Sequence, residues 1–213
     1  MTEEFKEPIE KAIEQSPERN FTETIELILN FREVDFSKPD ERIDKTITLP
    51  NGRGKPVKIC VIAEGETATK AREEAEEVIG KEELKKLGED SREARKLAEK
   101  FNHFIAEASI MPDVGKNLGQ VLGPRNKMPT PVPPGSDPTE QIKKLKDQVK
   151  LKAKGEFMPT LQIPIGTEKQ DIEELVENAE RTYEEIANSL PKRHQNIKEM
   201  YVKTTMGPSI KIE

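Results

Sequence analysis

The residues able to do chemistry in this chain are spaced for binding and not for catalysis. The two histidines, His103 and His194, stand far apart with no cysteine ligand set near either, so metal-ligand spacing is absent. The lone cysteine, Cys60, sits inside the apolar run Val57–Ala63, which excludes a disulfide framework within the monomer. No Gly-x-x-x-x-Gly-Lys-Ser/Thr loop is present, Gly65 alone makes no dinucleotide fingerprint, and the many glutamates fall on helical solvent faces where no acid/base pair stands out. What remains is suited to gripping a polymer. Thr22, Thr24 and Glu26 share one strand face beside Phe21, a pattern that offers hydrogen bonds and a stacking surface to RNA, and equally fits a solvated strand with Phe21 in the core. Thr204-Thr205-Met206-Gly207-Pro208-Ser209 combines hydroxyls, a polarisable thioether and a glycine that lets a partner approach the backbone; it also reads as a plain turn after a strand. Lys150, Lys152 and Lys154 alternate along one strand face, fit either to line phosphates or to protect a sheet edge.

The stretch 121–133 holds four prolines and a glycine, incompatible with helix or central strand. It predicts a stiff, extended loop that carries Arg125 and Lys127 outward. Asn126 within it tolerates left-handed backbone geometry.

The elements that must position these groups follow two styles. Near the start, an amphipathic helix over 3–15 carries Phe5, Ile9, Ala12 and Ile13, and strands are expected over 22–31 and 43–49. Pro50-Asn51-Gly52-Arg53-Gly54 then breaks the chain. In the middle, apolar strands at 57–63, 78–79 and 104–106 alternate with helices over about 67–77, 91–100, 110–122 and 140–149, the pattern of a doubly wound parallel sheet. Towards the end, 150–154 and 158–165 read as a hairpin turning at Gly155, residues 170–190 as the clearest helix, and 200–205 as a final strand. The expected fold class is α/β with two domains. A discontinuous α+β domain, an antiparallel sheet with two helices, is built from residues 1–52 and 150–213. A Rossmann-like α/β domain with a parallel sheet, residues 53–149, is inserted into it. Gly52 and Gly54 are the expected hinge.

Composition narrows the function classes. Charged residues are 36% and aromatics 4% of 213 residues, a surface-heavy balance that suits two modest cores. No apolar run reaches membrane-span length and no apolar leader opens the chain, so a soluble, cytoplasmic protein is expected. The net charge of −6 argues against indiscriminate nucleic-acid binding. Acids crowd 3–18 and 173–185, whereas 192–211 hold Lys192, Arg193, Lys198, Lys203 and Lys211 against Glu199 alone, so charge segregation is expected. A doubly wound enzyme with a small ligand at the sheet's carboxyl edge is the rival reading.

Four segments resemble the L-one family of ribosomal proteins, the protein of the large subunit's lateral stalk. They are Asn20–Glu26, Leu49–Lys55, Ile110-Met111-Pro112 through Gly123–Pro129, and Tyr201–Ser209, in the family's order. Lys127–Pro133 is similar to the archaeal branch, while Asn126 stands where relatives usually carry glycine. The resemblance implies the discontinuous two-domain arrangement, no enzymatic activity, no metal and no cofactor. It implies an rRNA- and mRNA-binding surface of Phe21, Thr22, Thr24, Glu26, Lys152, Lys154, Gly166, Lys203, Thr204, Thr205, Met206, Gly207 and Pro208. It places Arg125 and Lys127 on the side of exit-site tRNA. It further implies a mobile stalk that assists release of deacylated tRNA, repression of the protein's own mRNA through an operator, a ribosomal location, and a monomer off the ribosome.

Overall fold

The computed structural model describes residues 2–38, 41–153 and 159–212. The chain divides into two compact units, Met1–Lys55 with Asp147–Glu213, and Pro56–Lys146.

In the first unit, α1 (Thr2–Glu14) is followed by β1 (Thr24–Phe31) and β2 (Asp44–Thr48). The later part of this unit supplies β7 (Gln148–Lys152), β8 (Thr160–Thr167), α7 (Ile172–Ser189), a 3-10 turn at Arg193–Asn196, β9 (Ile197–Thr204) and β10 (Ser209–Ile212). Strands β10-β9-β1-β8 form one antiparallel sheet. Strict alternation along β1 buries Ile25, Leu27, Leu29 and Phe31 in a core with Phe5 and Ile9 of α1 and with Leu175, Val176, Ala179 and Ile186 of α7. Thr24, Glu26, Ile28 and Asn30 therefore face the other way. One face of the sheet is covered by helices and the other is left partly open, as antiparallel sheets allow.

The expected hairpin of 150–165 does not form within one sheet. β7 pairs with β2 in a separate two-stranded ribbon, whereas β8 pairs with β1. Both pairings are antiparallel, and local alternation carries no information about which distant strand a segment will meet. The turn at Gly155 lies outside the described residues. Pairing with β2 also shortens the preceding helix: α6 ends at Asp147, and Val149 is a strand residue in the first unit's core.

The second unit contains β3 (Ile59–Ile62), α2 (Gly65–Ala71), β4 (Glu77–Ile79), α3 (Lys81–Glu89), α4 (Ser91–Lys100), β5 (His103–Glu107), α5 (Met111–Leu122), β6 (Thr130–Val132) and α6 (Thr139–Asp147, whose last residue belongs to the first unit). Its parallel sheet runs β4-β3-β5-β6. One face packs Cys60, Ile62, Phe104 and Ala106 against α3, α4 and α5; the other packs Ile59, Val61, Ile105 and Val132 against α2 and α6. Cover on both faces is why β3 is apolar at every position. Burial also pushes the Cys60 thiol up, which keeps it inert.

Part of the proline stretch is ordered more than a loop requires. Thr130–Val132 add to the sheet as its edge strand, where Pro131 needs no ladder donor on its outer side. Asn126 adopts φ +53°, the left-handed geometry its side chain permits. Besides β6, the sequence pattern does not reveal α3, β10 or the 3-10 turn at Arg193–Asn196.

Candidate nucleic-acid interface

The interface is assembled where the start of β1 meets the end of β9. Register sets Ile25 opposite Thr204 and Glu26 opposite Lys203. One step beyond the ladder, the Thr205 side chain takes over the role of a strand: its Oγ accepts the Thr24 N–H at 3.1 Å and donates to the Thr24 carbonyl at 3.2 Å. Thr24 Oγ in turn accepts from Lys55 Nζ at 2.5 Å. On the β8 side, a bulge between Ile25 and Glu26 shifts the register from Gly166 to Pro164. Such a bulge bends the strand beside the site.

Beneath this junction lies Glu23, 1% exposed. Its carboxylate accepts from the Met206 N–H at 2.9 Å, from Ser16 Oγ at 3.3 Å and from Arg19 Nε at 3.0 Å. Its backbone is fixed as well. The Glu23 N–H donates to Glu168 Oε1, and the Glu168 N–H donates to the Glu23 carbonyl. Burial alone pushes the Glu23 carboxyl up, but the Met206 N–H, the Thr204 and Ser16 hydroxyls and the Arg19 charge outweigh it and hold the group below the ordinary glutamate value. Sequence reading passed over Glu23. The available signal is its phase: a glutamate in step with Ile25, Leu27 and Leu29 must be buried, and a buried carboxylate needs partners.

The other expected residues fall into three groups. Phe21 and Met206 are 50% and 58% exposed, two of the three large apolar side chains left open among the described residues, and Thr22, Thr24, Glu26, Lys203, Thr205 and Pro208 are half-buried or exposed around them. The Glu26 carboxylate has no hydrogen-bond or ion-pair partner among the described residues. A second group supports the surface from below. Thr204 is fully buried, its hydroxyl shared with Ser16 at 2.9 Å and accepting the Gly207 N–H at 3.0 Å, so it cannot meet a ligand through its side chain. A Cβ on Gly207 would collide with that same Thr204 oxygen. Gly166 is buried, and a Cβ there would strike Leu175 and come within 2.5 Å of Gln170 Oε1. Its glycine serves packing, which corrects the expectation of an RNA contact. The third group lies elsewhere. Lys152 is on the β2–β7 ribbon, 3.9 Å from Asp44, and not on the sheet that carries Thr24 and Thr205. Lys154 lies outside the described residues.

One further expectation needs correction. Lys127 does not project outward: its Nζ donates to the carbonyls of Ala98 and Phe101 at 2.7 and 2.8 Å, capping the end of α4, and burial followed by the nearby Arg125 charge pushes its ammonium down. Arg125 stays partly exposed, bonded to the Val121 carbonyl and 3.6 Å from Glu99. Gly52 and Gly54, the expected hinge, adopt left-handed φ of +64° and +66°. Asn178 Nδ2 donates to the Gly52 carbonyl, and a Cβ on Gly54 would lie 2.5 Å from Thr167 Oγ1.

The basic residues of 192–211 are partly neutralised, Lys192 by Glu33 at 2.6 Å and Lys211 by Glu199 at 3.4 Å. Among the described residues no group of three or more His, Cys, Asp or Glu side chains is placed to hold a metal, and no helix is long and apolar enough to cross a membrane. The geometry is that of an open strip with exposed apolar side chains, suited to a large partner.

Residues 11–208 match the model of the ribosomal protein L1p/L10e family. The chain belongs to that family. It is 46% identical to the large ribosomal subunit protein uL1 of Methanothermobacter thermautotrophicus, covering all of both chains. It is 45% identical to the protein of the same name in Archaeoglobus fulgidus, over 96% of this chain and 94% of the relative, and 45% identical to that of Thermococcus kodakarensis, over 97% and 95%. The family is one of ribosomal proteins and not of enzymes, so the rival enzymatic reading falls.

Proposed function

We propose that this protein binds large-subunit rRNA through the strip of Phe21, Thr22, Thr24, Glu26, Lys203, Thr205, Met206, Gly207 and Pro208, and so forms the mobile lateral stalk of the ribosome in the cytoplasm. The relatives' name, large ribosomal subunit protein, supports the assembly it joins. The observation that carries the reading is the union of chain segments 181 and 183 residues apart, Thr24 with Thr205 and Glu23 with Met206, into one exposed surface. A fold has no structural need to leave Phe21 and Met206 in water beside such a network; a partner with π-faces and ribose edges gives them a use.

In this reading residues 1–52 and 150–213 grip the RNA. The inserted 53–149 domain swings with the release of deacylated tRNA from the exit site, meeting it through Arg125. The same strip binds an operator in the protein's own mRNA and represses its translation, and off the ribosome the protein is a monomer. A gel-shift against the stalk helix of large-subunit rRNA, with a scrambled hairpin as competitor, tests the first claim: selective retention of the stalk helix is expected, and equal competition by the scrambled hairpin refutes it. Adding the cognate mRNA leader as competitor tests the operator.

A further inference from the structure

Hydrogen-bond direction alternates along a strand, so one known bond sets the rest. The Thr24 N–H and carbonyl both turn to Thr205, and the Arg32 N–H turns to the Asn196 carbonyl, so Thr24, Glu26, Ile28 and Asn30 of β1 point their backbone groups at β9. Glu26 and Lys203 are then a hydrogen-bonded pair. Val202 and Met200 turn the other way, to Ile210 and Ile212 of β10. That leaves the N–H and carbonyl groups of Ser209 and Lys211 on the outer edge of the sheet, without a partner among the described residues. Such groups are a template for a further strand. Lysine ordinarily guards an edge, but the Lys211 ammonium is drawn to Glu199 at 3.4 Å, on the open face.

Along that edge runs an open groove of about 430 Å³, lined by Glu3, Glu4, Glu7 and Pro8 of α1 and by Ile210 and Lys211. Ile210 is half-buried and turned to the helix side, where it packs on the core. Lys11 also lines the groove, and its ammonium is paired with Glu7 at 2.5 Å. The wall belongs to a larger field: α1 and α7 carry eleven glutamates against Lys6, Lys11 and Arg181, an acidic excess greater than that of the whole chain. A strand added to β10 sets every second side chain on the Ile210 side, over the glutamates of α1, and the others on the side of Lys211. We propose that the β10 edge and the α1 wall dock an extended basic peptide of a protein partner, with lysine or arginine at alternate positions. Its backbone pairs with Ser209 and Lys211, and its basic side chains enter the groove. The same wall repels phosphate, which makes a nucleic-acid backbone the wrong occupant. The site uses none of the residues of the RNA-binding strip.

The test titrates the full chain at low salt with two short labelled peptides, one alternating lysine and threonine, the other glutamate and threonine. Saturable binding of the lysine peptide is expected, about tenfold or more tighter than that of the glutamate peptide. Amide hydrogen exchange gives a second reading. In the free chain Ser209 and Lys211 should exchange fast while Ile210 and Ile212 are protected, and the lysine peptide should slow Ser209 and Lys211 about tenfold or more. Lys211→Pro removes an outward N–H and no ladder bond, and is expected to weaken the lysine peptide about tenfold. Glu3→Gln with Glu4→Gln, both exposed on α1, should weaken it about fivefold and leave the affinity for the stalk rRNA hairpin within about twofold. No saturable binding of the lysine peptide overturns the proposal. Equal binding of the two peptides, or no effect of the paired glutamine changes, overturns the acidic wall as the selector. Binding that leaves the Ser209 and Lys211 amides unprotected, or that Lys211→Pro does not weaken, overturns the strand pairing. Protection of those amides by the stalk hairpin and not by the lysine peptide reassigns the edge to RNA.

Discussion

Thr205 and Met206 are neighbours with opposite duties, and substitution separates them. The Thr205 hydroxyl closes two backbone bonds of Thr24, so Thr205→Val leaves a half-buried N–H and carbonyl without partners. A stability loss of about 1–3 kcal/mol is expected by urea unfolding. The Met206 side chain is exposed and supports nothing beneath it, so Met206→Ala should unfold as the wild type does yet bind the stalk hairpin more weakly. Unchanged affinity in Met206→Ala argues against its place in the interface. Glu23 adds a pH dependence. Its folded pKa lies below the unfolded value, so its contribution is present above the ordinary glutamate range and is lost as pH falls through the lowered folded value. The groups facing it are the Arg19 guanidinium and Glu168, which is bonded to its backbone. The stability gap between wild type and Glu23→Gln should therefore be constant near neutrality and close on acidification below the ordinary glutamate range. A gap independent of pH down to acid unfolding means that Glu23 is not ionised in the folded protein.

Elements were legible where one face meets water and the other meets the core. β1 alternates without a fault, and α7 carries an apolar stripe, so both were visible in the sequence. α3 was not, because Lys81–Glu89 brings only Leu84 and Leu87 to the core amid charges. β10 was hidden behind Gly207-Pro208, which reads as the end of a strand and here is the turn into the next one. The strip's outer residues and the burial of Glu23 are legible from strand phase, whereas the partners of Glu23, namely Ser16, Arg19, Glu168 and the Met206 N–H, depend on separate segments meeting, which no local pattern encodes. Lys127 shows the same limit. A lysine in a proline-rich turn looks like a solvent-facing charge, but the turn folds back on α4 and its ammonium finds two carbonyls. Lys127→Met should destabilise the protein by about 1–3 kcal/mol through those unpaired carbonyls, whereas Arg125→Ala, at a surface ion pair, should cost less than about 1 kcal/mol. Equal effects of the two changes in thermal unfolding refute the capping role.

At the scale of the molecule the question is how a chain of net charge −6 holds a polyanion. In the first unit the acids are segregated: those of α1 and α7 lie on the helices that cover one face of the sheet, while the open face sets Glu26 and Glu199 against Lys203 and Lys211. That face is close to neutral and not strongly basic, so counterion release can supply only a small part of the affinity. Two or three phosphate contacts, at Lys55, Lys203 and their surroundings, correspond to a slope of log K against log salt of about −2 to −3, or roughly a 15- to 60-fold loss between 50 and 200 mM salt. A binder that depends on 6–10 phosphates loses about 10³–10⁵ over the same range. Filter-binding titrations of the full chain against the stalk hairpin at four salt concentrations distinguish the two. The shallow slope is the expected result, because an acidic protein that selects RNA must do so through contour, stacking on Phe21 and Met206, and donors on the ribose and bases, none of which salt screens strongly. A steep slope means that an unrecognised cationic surface, not the Thr24–Thr205 strip, dominates the binding.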